Sequence, residues 1–309
     1  MKYFIYYALF TMLLTFCCFS SADMSVDPSN LIEGRNAFTP LLDDSVRVVS
    51  YNLLFEKSVP VEDERKWENR IKTIEKYVSK MDCDIIGTQE ALTFQINDLL
   101  KSLKGYKKLG LDLGGHTNDS RAENAALFYK TDKLEVLESG DFWYSKTPNV
   151  PGSNSWNSGY PRKCTWAKFK VKTTGTVFFV FNSHFYVFEE GHEAKTQCAI
   201  ILEAKIKELA GEYPVICTGD FNSTPGSATL ALLLNNQLLK DSRALSPKVS
   251  GPEGTFHGFS DQATVRLDYV LVNEKVDVLN YRVLDDELVD GQFGSDHLPV
   301  VVDLVISSK

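Results

Sequence analysis

Six apolar runs in this chain each stop at, or next to, an amide, a carboxylate or an imidazole, and that recurrence limits the fold more than any other feature. "RVVSYN" ends at Asn52, "CDIIGTQE" at Glu90, "FFVFNSH" at His184, and "VICTGDFN" at Asp220 and Asn222. "RLDYVLV" carries Asp268, and Asp296 and His297 stand directly before "LPVVVDLVI". Short runs of this composition, bounded by Gly, Asn and Asp, read as strands. Each polar terminus alone has an ordinary explanation: Asn52 as a turn former, Asp220 as a helix cap before "STPGS", His184 as a half-buried histidine. Six together point to one shared rim, because ligand sites favour strand ends, where the scaffold is rigid and the loops are free.

Between these runs lie helical patterns. Glu62 to Lys80 places Trp67, Ile71, Ile74 and Val78 on one face, and a second helix is expected from Leu92 to Leu103. Glu190 to Leu209 carries Ala194, Ile200, Ile201 and Ile206, and "SATLALLLN" reads as a short helix. "NAALFYK", "TWAKFKVK" and "TVFFVFNSHF" read as further strands. Strands alternate with helices early and late, with strand-rich hairpins in the middle. That fits an α/β fold of two packed, mostly antiparallel sheets flanked by helices, a four-layered α/β/β/α sandwich, better than a doubly wound parallel sheet. Residues 147–163, "NVPGSNSWNSGYPRK" in large part, form a long loop of the kind that is functional or mobile.

The N-terminus belongs to export rather than to the fold. Lys2, the apolar run Tyr3–Phe19, and small residues at Ser20 and Ala22 read as a signal peptide over residues 1–22, cleaved after Ala22. Residues 23–44 read as a loose leader and 45–309 as a single catalytic domain, periplasmic or secreted. Cys17 and Cys18 leave lipoprotein anchoring as the alternative. With 43% hydrophobic and 12% aromatic residues the chain has ample material for a core, and disorder is excluded. A net charge of −8 argues against a protein that grips duplex nucleic acid through a broad basic surface, since phosphate neutralisation supplies most of such affinity. Cys83, Cys164, Cys198 and Cys217 show no CxxC spacing and read as core residues, with an oxidised pair left open.

From "SYNLL" through "IIGTQE", "NSH", "TGDFNSTP" and "RLDYVLV" to "SDHLPVVVDL", roughly residues 46–306, the chain resembles the endonuclease/exonuclease/phosphatase superfamily with the deoxyribonuclease-I-like fold. "GDFN" and the C-terminal "SDHLPV" are its most specific motifs. The wording around "FWYSKTPNVPGSNSWN" and "GTFHGF" is similar to a branch of exported bacterial proteins distantly related to deadenylase-type phosphodiesterases. The resemblance implies hydrolysis of phosphoester bonds with Mg2+ or Mn2+. It implies Glu90 and Asp296 as metal ligands, with Asn52 and Asp220 close enough to join. His297 would face the phosphate as base or electrostatic partner, oriented by Asp268; Asn222 would hold the attacking water or a phosphate oxygen, and His184 would donate to a phosphate oxygen or the leaving group. Hard oxygen ligands suit Mg2+, and a carboxylate partner fixes a histidine tautomer. Many relatives carry a second histidine three residues after the "NSH" position, where this chain has Val187; His192 is read as an ordinary helix start.

Glu123, with Arg121 beside it, Trp156, Arg162 and His257 are the candidate substrate contacts: Glu123 as a cleft carboxylate, Arg162 as a bidentate phosphate partner, Trp156 as a stacking platform. The substrate expected is a small phosphoester, nucleotide or oligonucleotide, and a monomer is expected. The competing class is a non-catalytic binding protein that kept the fold.

Overall fold

A computed structural model describes residues 45–56, 65–116, 119–285 and 291–306, all within the second of the chain's two units, Phe38–Lys309. The expected signal peptide and leader, residues 1–44, lie outside the described residues. One sheet holds seven strands: β1 (Ser45–Asn52), β2 (Ile85–Gln89), β3 (Tyr106–Leu109), β4 (Leu127–Lys130), β10 (Val249–Ser250), β12 (Val276–Val283) and β13 (Val300–Ile306), in the order β10-β12-β13-β1-β2-β4-β3. The other holds six: β5 (Leu134–Trp143), β6 (Lys163–Val171), β7 (Val177–His184), β8 (Val215–Asp220), β9 (Lys240–Asp241) and β11 (Asp268–Val272), in the order β5-β6-β7-β8-β11-β9. The helices are α1 (Trp67–Met81), α2 (Thr93–Ser102), α3 (Glu193–Ala210), α4 (Ala228–Leu234) and α5 (Ser242–Leu245).

Alternation along the strands builds the layers. On β1, Val46 and Val48 join Phe169, Val180, Ile216 and Val270 of the second sheet in one core, while Val49 and Tyr51 face Ile74, Tyr77 and Val78 of α1. On β7, Phe178 and Val180 enter the inter-sheet core, and Phe179 and Phe181 pack with Cys198, Leu202 and Ile206 of α3. Successive side chains point to opposite faces, so strands covered on both sides are apolar throughout. The expected four layers are present.

Two parallel pairs give the sheets their functional end. β1 and β2 run parallel with Asn52 opposite Gln89, and β7 and β8 run parallel with His184 opposite Asp220. Parallel neighbours need a crossover; α1 supplies the first and α3 the second. All four strands therefore deliver their C-terminal residues to one rim. Below it a polar contact joins the two sheets: Gln89 Nε2 donates to Asn182 Oδ1 (2.8 Å), an oxygen that also accepts from Thr218 Oγ1 on the neighbouring strand β8 (3.0 Å). Gly87 lies against this junction, where a Cβ would come within 2.2 Å of Thr218 Oγ1.

Several boundaries differ from expectation. α1 begins at Trp67 rather than Glu62; residues 62–64 are outside the described set, and Lys66 is extended. β3, β5 and β12 escape the apolar-run criterion, because β3 and β5 have few buried positions and both β5 and β12 contain a register shift. Cys83, Cys164, Cys198 and Cys217 are free and buried. No described helix is long and apolar enough to cross a membrane.

α3 begins at Glu193, not Glu190, because His192 is the cap: Ala194 N donates to its Nδ1 (3.2 Å), and its ring stacks on Phe188. The helix-start reading of His192 holds. Glu190 is freed for another helix. It accepts from Ser223 Oγ (2.9 Å), Thr229 N (3.1 Å) and Thr229 Oγ1 (2.8 Å), and pairs with Lys195 Nζ (2.6 Å). Burial alone would raise its pKa, but Lys195, Thr229 and Ser223 outweigh it and bring the carboxyl down to about 2. Its folded pKa thus lies below the unfolded value, so the stability it contributes is complete above the ordinary carboxylate range and disappears as pH falls toward 2. Glu190→Gln is expected to lose about 1 kcal/mol at neutral pH, a modest figure because the side chain is 35% exposed. Thermal melts at pH 7 and pH 2 check this: the gap between wild type and variant should close in acid.

Candidate active site

Glu90 follows β2 with φ of +66°, a left-handed conformation that costs a non-glycine residue energy and concentrates at functional sites. That turn sends Gln89 into the inter-sheet junction and Glu90 out to the rim. Asn222, two residues past β8, also has positive φ (50°), which Asn tolerates better. Its N–H donates to Asp220 Oδ1 (2.8 Å), so the "GDFN" turn is locked by its own aspartate.

Asn52 sits between the two carboxylates. Its Nδ2 donates to Glu90 Oε1 (3.1 Å) and Asp220 Oδ2 (2.9 Å), while its Oδ1 accepts from Leu54 N (3.0 Å). The amide therefore presents nitrogen to Glu90 and Asp220 and clamps the two acids together. Asp268, opposite Asp220 in the β8–β11 register, accepts from Thr255 Oγ1 (2.6 Å) and lies 2.8 Å from His297 Nδ1. His297 Nε2 is 3.8 Å from Asp220 Oδ2. His184 Nε2 is 3.6 Å from Asp220 Oδ2 and 3.9 Å from Glu90 Oε1. Asn52, Glu90, His184, Asp220, Asn222, Asp268 and His297 are one cluster.

Charge on this cluster is unevenly shared. Burial opposes charge on His297, but Asp268 by charge and hydrogen bond, then Asp220 and Asp296, push its pKa up to about 10. Burial first, then the neighbouring Asp268, pushes Asp220 up to about 7 against the charge of His297. Asp296 is raised by burial, with Glu90 adding to it and His297 opposing. His184 goes the other way: burial, Arg162 and His297 hold it well below the ordinary imidazole value, so its ring is neutral.

The hydrogen-bond partners then decide which atoms can hold a cation. Arg162 Nη1 bonds His184 Nδ1, and a guanidinium can only donate, so the His184 proton sits on Nε2. Asn222 Nδ2 lies 3.2 Å from that Nε2 and donates to Phe185 O (3.0 Å). Two N–H groups thus stand side by side with no shared acceptor. Two groups of ligand-type atoms lie within 4.8 Å, Glu90–His184–Asp220 and Asp220–Asp268–His297. Both histidines drop out, one as an N–H donor and one as a protonated ring paired with Asp268. What remains is oxygen from Glu90 and Asp220, with Asp296 close enough to feel Glu90's charge. An all-oxygen donor set with excess negative charge fits a hard divalent cation such as Mg2+.

Residues with no motif of their own hold these loops. Arg70 on α1 is fully buried. Its Nη1 donates to Leu53 O (2.7 Å) and Gly294 O (2.8 Å), its Nη2 to Leu54 O (2.9 Å) and its Nε to Arg65 O (2.9 Å). One guanidinium thereby ties the segment after Asn52 to the turn before Asp296. Gly294 permits the approach, since a Cβ there would meet Ile74 Cγ1 and Tyr51 OH at 2.8 Å. Gln95 does similar work: its Nε2 donates to Leu54 O (3.1 Å), and its Oε1 accepts from Glu56 N (2.9 Å) and Leu92 N (3.0 Å). The periodic spacing marks α1 and α2 as helices but says nothing of these polar anchors.

The outer candidates divide. Arg162 bridges His184 and Glu123 Oε2 (3.3 Å), so both extend the cluster, and burial raises the Glu123 pKa, with Arg162 lowering it. Arg162 also packs over Tyr160 (5.1 Å). Trp156 packs against the α3-side core instead, and Arg121 is exposed. His257 N donates to Asp296 O (3.0 Å), which puts its loop beside the rim.

Comparison with known proteins agrees with this geometry. The profile of the Endonuclease/Exonuclease/phosphatase family matches residues 49–297. The crystal structure of an endonuclease/exonuclease/phosphatase from Bacteroides vulgatus is 34% identical, with a TM-score of 0.79, covering 85% of this chain and 99% of that one. A mannosyl-6-phosphatase from Bacteroides thetaiotaomicron is also 34% identical, with a TM-score of 0.78 over 84% of this chain and all (100%) of that one. The CCR4-Not complex 3'-5'-exoribonuclease subunit Ccr4 of Emericella nidulans is 24% identical over 270 residues, 67% of this chain; the match spans 40% of that protein's length.

Proposed function

This chain belongs to the endonuclease/exonuclease/phosphatase family, whose members hydrolyse phosphoester bonds, and from that premise we propose that it is a divalent-metal-dependent hydrolase of small phosphoesters. One observation carries the reading: an acidic wall and a donor wall face each other across less than 4 Å. Glu90 and Asp220 form the first; His184 Nε2–H and Asn222 Nδ2–H, without a common acceptor, form the second. A phosphate oxygen beside the donors and a cation against Glu90 would satisfy both, leaving Asp220 to take a proton.

Glu90 and Asp296 would hold the ion, Mg2+ or Mn2+ by the hardness of the donors, and it would neutralise charge on the phosphoryl oxygens. His297, protonated beside Asp268, donates to a non-bridging oxygen rather than serving as base. Asp220, with its raised pKa, takes the proton of the attacking water as the water oxygen bonds to phosphorus. The P–O bond to the leaving group breaks, and the leaving oxygen takes a proton from water, while the proton on Asp220 returns to solvent. The acidic net charge of −8 supports a small phosphoester over duplex nucleic acid. Export, through residues 1–22, and a monomeric state remain part of the proposal and rest on the sequence reading.

Hydrolysis of p-nitrophenyl phosphate and bis-p-nitrophenyl phosphate tests the proposal and separates monoester from diester activity. EDTA is expected to abolish turnover, and Mg2+ or Mn2+ to restore it. Turnover that survives exhaustive chelation would rule the metal role out.

A further inference from the structure

The two carboxylate arms of the metal site come from distant parts of the chain, and one buried arginine holds both. On the first arm, Asn52 Nδ2 donates to Glu90 Oε1 (3.1 Å), Leu53 N to Gln89 O (3.0 Å) and Phe55 N to Glu90 Oε2 (3.4 Å), so the segment after β1 contacts both Glu90 oxygens. Leu54 within it has φ of +51°, a left-handed conformation that is rare for a bulky side chain and persists only where its surroundings impose it. Both carbonyls of that turn accept from Arg70 on α1, Leu53 O from Nη1 (2.7 Å) and Leu54 O from Nη2 (2.9 Å), and Gln95 Nε2 on α2 adds a second bond to Leu54 O (3.1 Å). On the other arm, Arg70 Nη1 also donates to Gly294 O (2.8 Å), two residues before Asp296. Thr73 Oγ1, one turn along α1, donates to Gln292 O (2.9 Å) and holds the same loop.

The guanidinium serves geometry more than ion pairing. Backbone carbonyls of Leu53, Leu54, Gly294 and Arg65 take its hydrogen bonds, while Glu56 Oε2 stands 3.9 Å from Nη2. A buried cation on neutral acceptors is costly. Burial is the largest influence on the Arg70 pKa and lowers it; Glu56, Tyr51, Asp296 and Glu90 oppose it in that order. What a planar fork supplies is a fixed distance between the segments it bridges, which a lysine ammonium cannot give. Two like charges in one site need such a brace: the Asp296 pKa is raised by burial and then by Glu90. Mg2+ demands near-octahedral geometry, so carboxylate arms that splay apart have to be drawn back at a cost in affinity.

We propose that Arg70 is the positioning residue of the metal site: its fork sets the separation between the Glu90 arm and the Asp296 turn, so that the carboxylates are arranged before a cation arrives. The inference rests on the metal-dependent reading and adds to it a residue that touches neither ion nor substrate. Calorimetric titration with Mn2+, and melting curves with and without Mg2+, are compared for wild type, Arg70→Lys, Arg70→Met and Gly294→Ala. Mn2+ affinity is expected to fall roughly tenfold or more in both Arg70 variants, the scale for groups that orient metal ligands, and the rise in melting temperature on adding Mg2+ shrinks with it. Lysine keeps the charge and loses the fork, so a loss in Arg70→Lys assigns the effect to geometry. A mere counter-charge predicts wild-type affinity in Arg70→Lys and tighter binding in Arg70→Met, and that result overturns the proposal. Gly294→Ala leaves Arg70 and both carboxylates intact and acts at the far end of the tie, where a Cβ would meet Ile74 Cγ1 and Tyr51 OH at 2.8 Å. A smaller loss of Mn2+ affinity is expected there, and this variant reads the tie even if the Arg70 variants fold poorly. Melting temperatures that drop in all three variants with Mn2+ affinity unchanged mark a structural role only and overturn the proposal. Wild type that binds no Mn2+ sinks the metal-dependent reading, and the tie with it.

Discussion

His297→Ala lowers turnover by a factor of roughly 100 or more, the scale of a positioned acid–base group, with little change in melting temperature. The ring is held at 2.8 Å by Asp268, and its Nε2 points toward the shared rim, 3.8 Å from Asp220. Charge on the ring is sustained by three acids, Asp268 foremost, against the penalty of burial. Alanine removes both the donor and the positive charge that offsets Asp220 and Asp296, so binding of the phosphate and its charge stabilisation fall together. Asp268→Asn costs less, because Thr255 and the β8–β11 register keep the side chain in place while control of the ring's proton is lost. Steady-state kinetics with melting curves on both variants check the order. A folded His297→Ala protein with near-normal turnover removes His297 from the chemistry.

Glu90→Gln is the second large effect: metal affinity falls by a factor of roughly 10 to 100, and activity at limiting metal falls with it. The substitution keeps length and shape and leaves the left-handed backbone at +66° as it is, so the change isolates charge. Glu90 is held on one side by Asn52 Nδ2 at 3.1 Å, a donor that a glutamine oxygen can also satisfy. Loss of structure is therefore a poor explanation for any loss of metal. Calorimetric titration with Mn2+ reads affinity directly, and the rise in melting temperature on adding Mg2+, expected from preferential binding to the folded chain, gives a second reading. Equal Mn2+ affinity in variant and wild type excludes Glu90 as a ligand.

Most of the cluster was legible before any fold was known, for a local reason. A strand whose two faces are buried has only its ends for polar chemistry, so Asn52, Glu90, His184, Asp220, Asp268 and His297 stand out as interruptions of apolar runs. Trp156 draws notice by its place in a loop, and its half-buried ring packs against the α3-side core, because an aromatic in a loop is as ready to pack as to stack. Helix starts were blurred for a similar reason: Glu190 looks like a first-turn acid of α3, yet it caps α4 across 39 residues.

The strand ends, the layer pattern and the residue types at the rim are local properties, because they follow from periods of two and 3.6 residues that any short window contains. What those residues do is set by partners that folding brings from far along the chain. Arg70 reaches Gly294 across 224 positions, Asn52 turns its nitrogen to Asp220 across 168, and Arg162 places the His184 proton on Nε2. Hydrogen-bond direction, tautomer and charge depend on which groups meet after folding, and no local pattern in the chain encodes that meeting.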